Sequence, residues 1–276
     1  MSFVNNINFD FKCSLFKEKN EKEKDELIYK FVQVFVGEFL GTGMLVFWGC
    51  ACSGEVNEGG QTIKALMFGI IFGLCIQIFG LDTTCHINPA ITLTFVIFGD
   101  VSLVLGLFYV LCQILGGLVG YAVLELIGPE EMSFYGLVKI KNFCVTSVIA
   151  EVGIAKTLFW EASGTGTLCL MICSILDTKN RDRIETIPIK LTLCVFTMVY
   201  ICLPYTGGSI NPARSIGPAL WHMVFADHWV YWIGPLIGSL FVTVLYHLIF
   251  LPKDEDQRIS LSTVGLKSPL PTGKKV

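Results

Sequence analysis

Charge is scarce in this chain. Only 16% of its 276 residues are Asp, Glu, Lys or Arg, too few to cover a soluble domain of that length. Histidine is scarcer still, at four, and no two have the spacing of a metal site. No Ser-His-Asp arrangement and no glycine-rich phosphate loop is present. An enzyme is therefore not expected, nor is a metal, a cofactor or a nucleic-acid partner. The first 30 residues lack the apolar run of a cleavable signal and are dense in charge, so the first apolar segment is expected to act as an uncleaved anchor.

Apolar sequence is abundant: 53% of residues are hydrophobic, and the mean hydropathy is +0.64. Runs long enough to cross ~30 Å of hydrocarbon lie at about 31–53, 62–81, 102–127, 157–176, 187–203 and 229–251. Two shorter apolar stretches, 88–98 and 211–221, reach only about half that depth. The expected architecture is all-α and integral to the membrane, with six spans and two half-spans. Fifteen of the 20 Lys and Arg residues fall in the N-terminal segment, the loop after the fourth span and the C-terminal tail. By the positive-inside rule those three regions face the cytoplasm. The expected layout is a cytoplasmic tail over 1–30, a membrane domain over 31–251 and a second tail over 252–276. The membrane domain divides into two parts at about 31–127 and 157–251, joined by a linker at 128–156 whose apolar part, 142–155, suits the membrane face. The eleven cysteines, most inside apolar runs, read as small hydrophobic filler. Glycines at four-residue spacing (Gly37/Gly41, Gly69/Gly73, Gly116/Gly120, Gly234/Gly238) read as sites of close helix approach.

Two motifs occur twice at one offset. Asn88-Pro89-Ala90 returns as Asn211-Pro212-Ala213, and Glu38-x-x-Gly41-Thr42-Gly43 returns as Glu161-x-x-Gly164-Thr165-Gly166, each 123 residues later. Two motifs in register mark a tandem duplication. An odd number of spans per half makes the repeat inverted, which places its functional residues where the halves meet.

Asn suits a helix N-cap and Pro the first helical position, where its missing N–H costs nothing. Each motif should start a short helix in mid-membrane, with its irregular backbone buried by protein or lining a water path. Inverted symmetry brings the two N-termini together, each carrying roughly half a positive charge, and lets the Asn88 and Asn211 amides donate into one space. Neutral hydrogen-bonding molecules can then exchange bulk water for these groups, while cations are opposed. Arg214 follows the second motif directly, and an arginine at membrane depth is a functional residue by default. Glu38 and Glu161, matched in the first and fourth spans, are expected to accept hydrogen bonds from the half-span loops and hold their carbonyls in line.

His86-Ile87-Asn88-Pro89-Ala90-x-Thr92 and Thr206-Gly207-Gly208-Ser209-Ile210-Asn211-Pro212-Ala213-Arg214-Ser215 resemble the two signatures of the aquaporins, the major intrinsic proteins, over about residues 31–251. The resemblance implies six tilted helices and two half-helices per protomer, one pore per protomer, and a homotetramer. It also implies an outer selectivity filter at Phe68, Val199, Gly208 and Arg214. Val199 stands where water-selective members usually carry His, so the filter is expected to be wider and less polar than a strict water filter. Ser215, Ala219 and Tyr231-Trp232 follow the water branch rather than the glycerol branch.

The expected function is passive passage of water and small neutral solutes across a lipid bilayer by a multi-pass protein, with the plasma membrane as default location. A gated channel is one alternative, with the cytoplasmic loop 177–188 as plug and Thr178, Lys179, Asn180, Arg181, Asp182 and Arg183 as candidate gate. A structural or junctional membrane protein with little flux is the other.

Overall fold

A computed structural model describes residues 21–52, 60–83, 85–128, 142–177, 180 and 185–251. Eight helices carry these residues: α1 (Glu21–Ala51), α2 (Gly60–Thr83), α3 (Pro89–Phe98), α4 (Leu103–Ile127), α5 (Ile154–Leu176), α6 (Ile187–Thr206), α7 (Pro212–His222) and α8 (Val230–Ile249). Six are long and apolar enough to cross a membrane. The other two, α3 and α7, have 10 and 11 residues, about 15 Å at 1.5 Å per residue. The six spans and two half-spans expected from hydropathy are therefore present, and every boundary but one falls within three residues of its expected place.

The exception is α1, which starts at Glu21 rather than near residue 31. Hydropathy marks where a helix enters hydrocarbon, not where it begins. Residues 21–30 are mostly Glu, Lys and Leu, which favour helix in water, and Lys24 pairs with Glu21 at 2.7 Å one turn away. At 31 residues α1 is about 46 Å long, so its first turns exceed the thickness of an apolar core.

The halves match element for element, α1–α4 against α5–α8. Within each half the first and last spans pack together, α1 on α4 and α5 on α8, and α2 joins the halves by packing on α6. Glycine makes these crossings close. A Cβ on Gly116 would sit 2.2 Å from the Phe39 carbonyl oxygen, one on Gly120 2.3 Å from that of Gly43, and one on Gly238 2.0 Å from that of Ala162. No side chain fits at those separations. Dispersion between bare backbones replaces the hydrophobic drive that lipid does not provide.

Candidate functional site

Both half-helices begin as the motif chemistry demands. Asn88 and Asn211 have extended backbone and cap α3 and α7, with Pro at the first helical position. Each cap oxygen accepts from its own helix: Asn88 Oδ1 from the Ala90 N–H at 2.9 Å, Asn211 Oδ1 from the Ala213 N–H at 3.0 Å and the Arg214 N–H at 3.3 Å. Each side-chain amide then donates across the repeat, Asn88 Nδ2 to the Ile210 carbonyl at 2.9 Å and Asn211 Nδ2 to the Ile87 carbonyl at 2.7 Å. This reciprocal pair fixes both loops and brings the two helix N-termini to one place. Pro89, Ala90, Pro212 and Ala213 are buried there.

The carbonyls that receive those bonds come from strained residues. Ile87 (φ 44°) and Ile210 (φ 43°) both lie in the left-handed region, which β-branched side chains avoid and which costs about 1–3 kcal/mol each. The other duplicated motif offsets that cost. Glu38 accepts from the His86 N–H (2.6 Å) and the Ile87 N–H (2.7 Å). Glu161 accepts from the Ser209 N–H (3.1 Å), the Ile210 N–H (2.7 Å) and the Thr206 hydroxyl (2.6 Å). One turn further along each helix, a Cβ on Gly41 would press on Ile87 Cγ2 at 2.8 Å, and one on Gly164 on Ile210 Cγ2 at 3.0 Å. In Glu-x-x-Gly, then, the acid binds the isoleucine's backbone and the glycine makes room for its side chain.

The four positions expected to form the outer filter come together in pairs. The Arg214 guanidinium carbon lies 4.9 Å from the centre of the Phe68 ring, a cation–π distance. Gly208, at φ 63°, lies against Val199, whose Cγ1 would be 3.2 Å from an added Cβ. All four are buried, Arg214 at 5% exposure. Arg214 is not paired with either glutamate. Its Nη1 donates to the Cys144 carbonyl at 3.2 Å.

Cys144 corrects the reading of the cysteines as filler, because Cys50 at the end of α1 is disulfide-bonded to it. The partners stand 94 residues apart, so no local spacing announces them. The same contact corrects the picture of 142–155 as a segment lying on the membrane face. Phe143 and Thr146 are buried, Tyr121 Oη donates to the Phe143 carbonyl at 2.6 Å, and Thr146 Oγ1 donates to Ser215 Oγ at 2.8 Å. The segment turns inward against α7.

Two further support residues escaped the sequence reading. Gln113 Nε2 donates to Glu38 Oε2 at 2.7 Å and to Thr92 Oγ1 at 2.9 Å. Tyr231, read above only as a branch marker, donates to the Thr206 carbonyl at 2.9 Å. Gln113 could have been found as an amide within an apolar span. Of the candidate gate, Thr178, Lys179, Arg181, Asp182 and Arg183 lie outside the described residues. Asn180 donates to the Ser174 carbonyl at 2.7 Å, and Asp177 accepts from Tyr246 Oη at 3.1 Å.

Comparison with known proteins agrees with this geometry. Residues 27–246 match the family model described as Major intrinsic protein. Aquaporin-4 of Mus musculus is 30% identical over 231 residues, covering 83% of this chain and 68% of the relative. The lens fiber major intrinsic protein of Lithobates pipiens is 30% identical over 250 residues, covering 90% and 92%. Aquaporin-2 of Bos taurus is 32% identical over 226 residues, covering 80% of each. Among solved structures, the aquaglyceroporin from Plasmodium falciparum superposes with a TM-score of 0.64 at 22% identity, covering 80% of this chain and 98% of that one. That last likeness concerns the fold alone.

Proposed function

The chain belongs to the major intrinsic protein family of membrane channels, and from that premise we propose that it is a passive pore for water and small neutral solutes, closed to ions and protons. The observation that carries the reading is the reciprocal pair of bonds from Asn88 to the Ile210 carbonyl and from Asn211 to the Ile87 carbonyl. An amide nitrogen has two hydrogens. With one held by the opposite loop, the other is aimed into the passage. A water between two such donors must accept from both, so its own hydrogens point away and it relays no proton inward. Two helix N-termini of roughly half a charge each oppose a cation at the same point. The desolvation of a small ion costs of order 20 kcal/mol before compensation.

Phe68, Val199, Gly208 and Arg214 form the outer constriction in this reading. Arg214 supplies a fixed positive charge and hydrogen-bond donors. Val199 and Gly208 leave the facing wall apolar and small, which favours solutes such as urea or glycerol beside water. Cytoplasmic termini, inferred from the distribution of Lys and Arg, place the C-terminal end of α1 and residues 142–153 outside the cell. The disulfide there is supporting evidence, since such bonds persist in oxidising compartments. The channel domain is assigned to 31–251, with one pore per protomer of a homotetramer in the plasma membrane.

Stopped-flow light scattering on liposomes containing the purified chain tests the reading. Osmotic shock with sucrose should give shrinkage well faster than in empty liposomes. Shock with urea or glycerol should give the same shrinkage followed by re-swelling. Shrinkage without re-swelling would restrict the pore to water. Shrinkage at the empty-liposome rate would refute the proposal.

A further inference from the structure

We propose that the Cys50–Cys144 disulfide is a positioning element of the outer constriction: it fixes the carbonyl at which Arg214 is aimed, and the selectivity of the pore depends on its being intact. The inference rests on the channel reading above.

The end of α1 indexes both partners of the arginine through two consecutive residues. Gly49 presents bare backbone to Phe68; a Cβ there would lie 2.3 Å from Phe68 Cε1. Cys50, fully buried, is bonded to Cys144 with the Cα atoms 5.6 Å apart, an ordinary separation for a disulfide. The Phe68 ring then faces the guanidinium carbon of Arg214 at 4.9 Å, and the Cys144 carbonyl receives its Nη1 at 3.2 Å. Nη2 lies 3.5 Å from Cys144 Sγ. One helix end thus sets the ring on the face of the guanidinium and the carbonyl at its edge.

Cys144 needs such a tether. It sits at φ 59°, two residues after Asn142 at φ 58°, and a left-handed non-glycine residue relaxes when its surroundings stop holding it. The hydrogen bonds of the segment hold its neighbours: Tyr121 Oη on the Phe143 carbonyl, Thr146 Oγ1 on Ser215, and the Val145 N–H on the Asn142 carbonyl. The covalent bond to Cys50 ties residue 144 itself to the end of α1. Without it the Cys144 carbonyl is free to turn, Arg214 loses a fixed acceptor, and its side chain gains room to swing from the passage. The constriction then widens, with more effect on urea and glycerol than on water.

The test uses the full-length chain in liposomes, as isolated, after treatment with a water-soluble phosphine, and as the Cys50→Ser variant. The phosphine takes oxygen from water to become its oxide and transfers two electrons to the bond, leaving both sulfurs as thiols. Maleimide labelling and mass spectrometry confirm that they are free. The ratio of urea to water permeability should rise about fivefold, the factor that corresponds to losing one net hydrogen bond of ~1 kcal/mol. Reoxidation should restore the ratio, and phosphine should leave Cys50→Ser unchanged. Phenylglyoxal labelling of Arg214, read by peptide mass, should rise in parallel. A cross-link that merely stabilises the fold would lower the melting temperature and the number of active channels at constant ratio. That outcome, with unchanged Arg214 labelling and both thiols free, overturns the proposal. Wild-type liposomes that conduct no faster than empty ones would refute the channel reading instead, and the Arg214 labelling would still decide whether the bond positions the arginine.

Discussion

Glu161→Gln and Glu38→Gln should lower water flux to a similar degree, because the two duplicated acids hold equivalent backbone N–H groups. Amidation turns one acceptor oxygen into a donor. At Glu161 the amide nitrogen must face either the Ile210 N–H or the Ser209 N–H and Thr206 hydroxyl, all now bonded to carboxylate oxygens at 2.6–3.1 Å. Either choice sets donor against donor and leaves a buried N–H unpaired, at about 1–3 kcal/mol. The strain of about 1–3 kcal/mol at Ile210 then goes without its main restraint, and the carbonyl that receives Asn88 is free to turn. Glu38→Gln also loses one N–H bond, to His86 or Ile87. Each new amide has one neighbour that can accept from it. Thr206 Oγ1 can turn its hydrogen to the Cys202 carbonyl, 3.2 Å away, and accept from the amide at residue 161. Gln113 can reverse its own amide, since its Oε1 is buried without a hydrogen-bond partner, and accept from the amide at residue 38. The net loss in each half is at the low end of that range, ~1 kcal/mol, or about fivefold in the population of correctly ordered loop. Water permeability per reconstituted channel, measured by stopped flow with the protein counted in each liposome batch, should therefore fall about fivefold in each variant. A loss confined to one variant would refute the equivalence of the two halves. Wild-type flux in both would refute the role given to the acids.

Three further outcomes are expected. Val199→His should cut urea and glycerol permeability by about tenfold or more while retaining water flux, because the imidazole adds bulk and a polar contact beside Gly208; unchanged solute permeability would remove Val199 from the constriction. Gly116→Ala should destabilise by at least about 1–3 kcal/mol, since its Cβ would meet the Phe39 carbonyl oxygen at 2.2 Å. Gly99→Ala, at φ 85° with nothing within 4 Å, should pay only conformational strain, ~1 kcal/mol; a lower melting temperature for Gly99→Ala than for Gly116→Ala would contradict the packing account. His228, ahead of α8, is held below the usual histidine pKa by burial, and its Nε2 accepts from Trp232 Nε1 at 3.3 Å. The unfolded chain therefore takes up the proton more readily. The stability this residue contributes is complete above the unfolded value of about 6.5 and is lost as pH falls through the lowered folded value. The melting temperature should fall on acidification below about pH 6.5, and His228→Gln should flatten that slope.

The parts of the molecule legible in the sequence are those governed by local rules. Span positions follow from hydropathy because hydrocarbon demands a fixed apolar length. The half-helix starts follow from Asn-Pro-Ala because capping is a property of three consecutive residues. The duplicated acids were legible by register alone, although nothing local says that Glu38 reaches His86 and Ile87. The contacts that remained hidden join residues far apart in the chain, with no duplicate to flag them. Cys50 and Cys144 are separated by 94 positions, and each sits in a stretch where a cysteine packs as readily as it pairs. The start of α1 escaped for another reason: hydropathy does not report a helix that continues into water.

The departures from internal symmetry show how one half came to carry the docked segment that meets Arg214. At the offset of 123, His86 corresponds to Ser209 and Thr92 to Ser215. In the first half, His86 Nδ1 meets Thr92 Oγ1 at 3.1 Å, and the ring stacks on Phe95 and Tyr109 at 4.0 and 4.5 Å. That stack fills the space beside the first loop. In the second half the same hydrogen bond joins two small hydroxyls, Ser209 Oγ and Ser215 Oγ, and no ring intervenes. Into the space so released comes Thr146, whose hydroxyl donates to Ser215, and with it the segment whose Cys144 carbonyl receives Arg214. Replacing a histidine and a threonine by two serines therefore accounts for why a distant loop can dock on one half of an otherwise matched pair. The centre of the passage keeps its two-fold pattern, in which each asparagine serves the other's loop. The contacts that hold Arg214 are built where the repeat breaks its own symmetry.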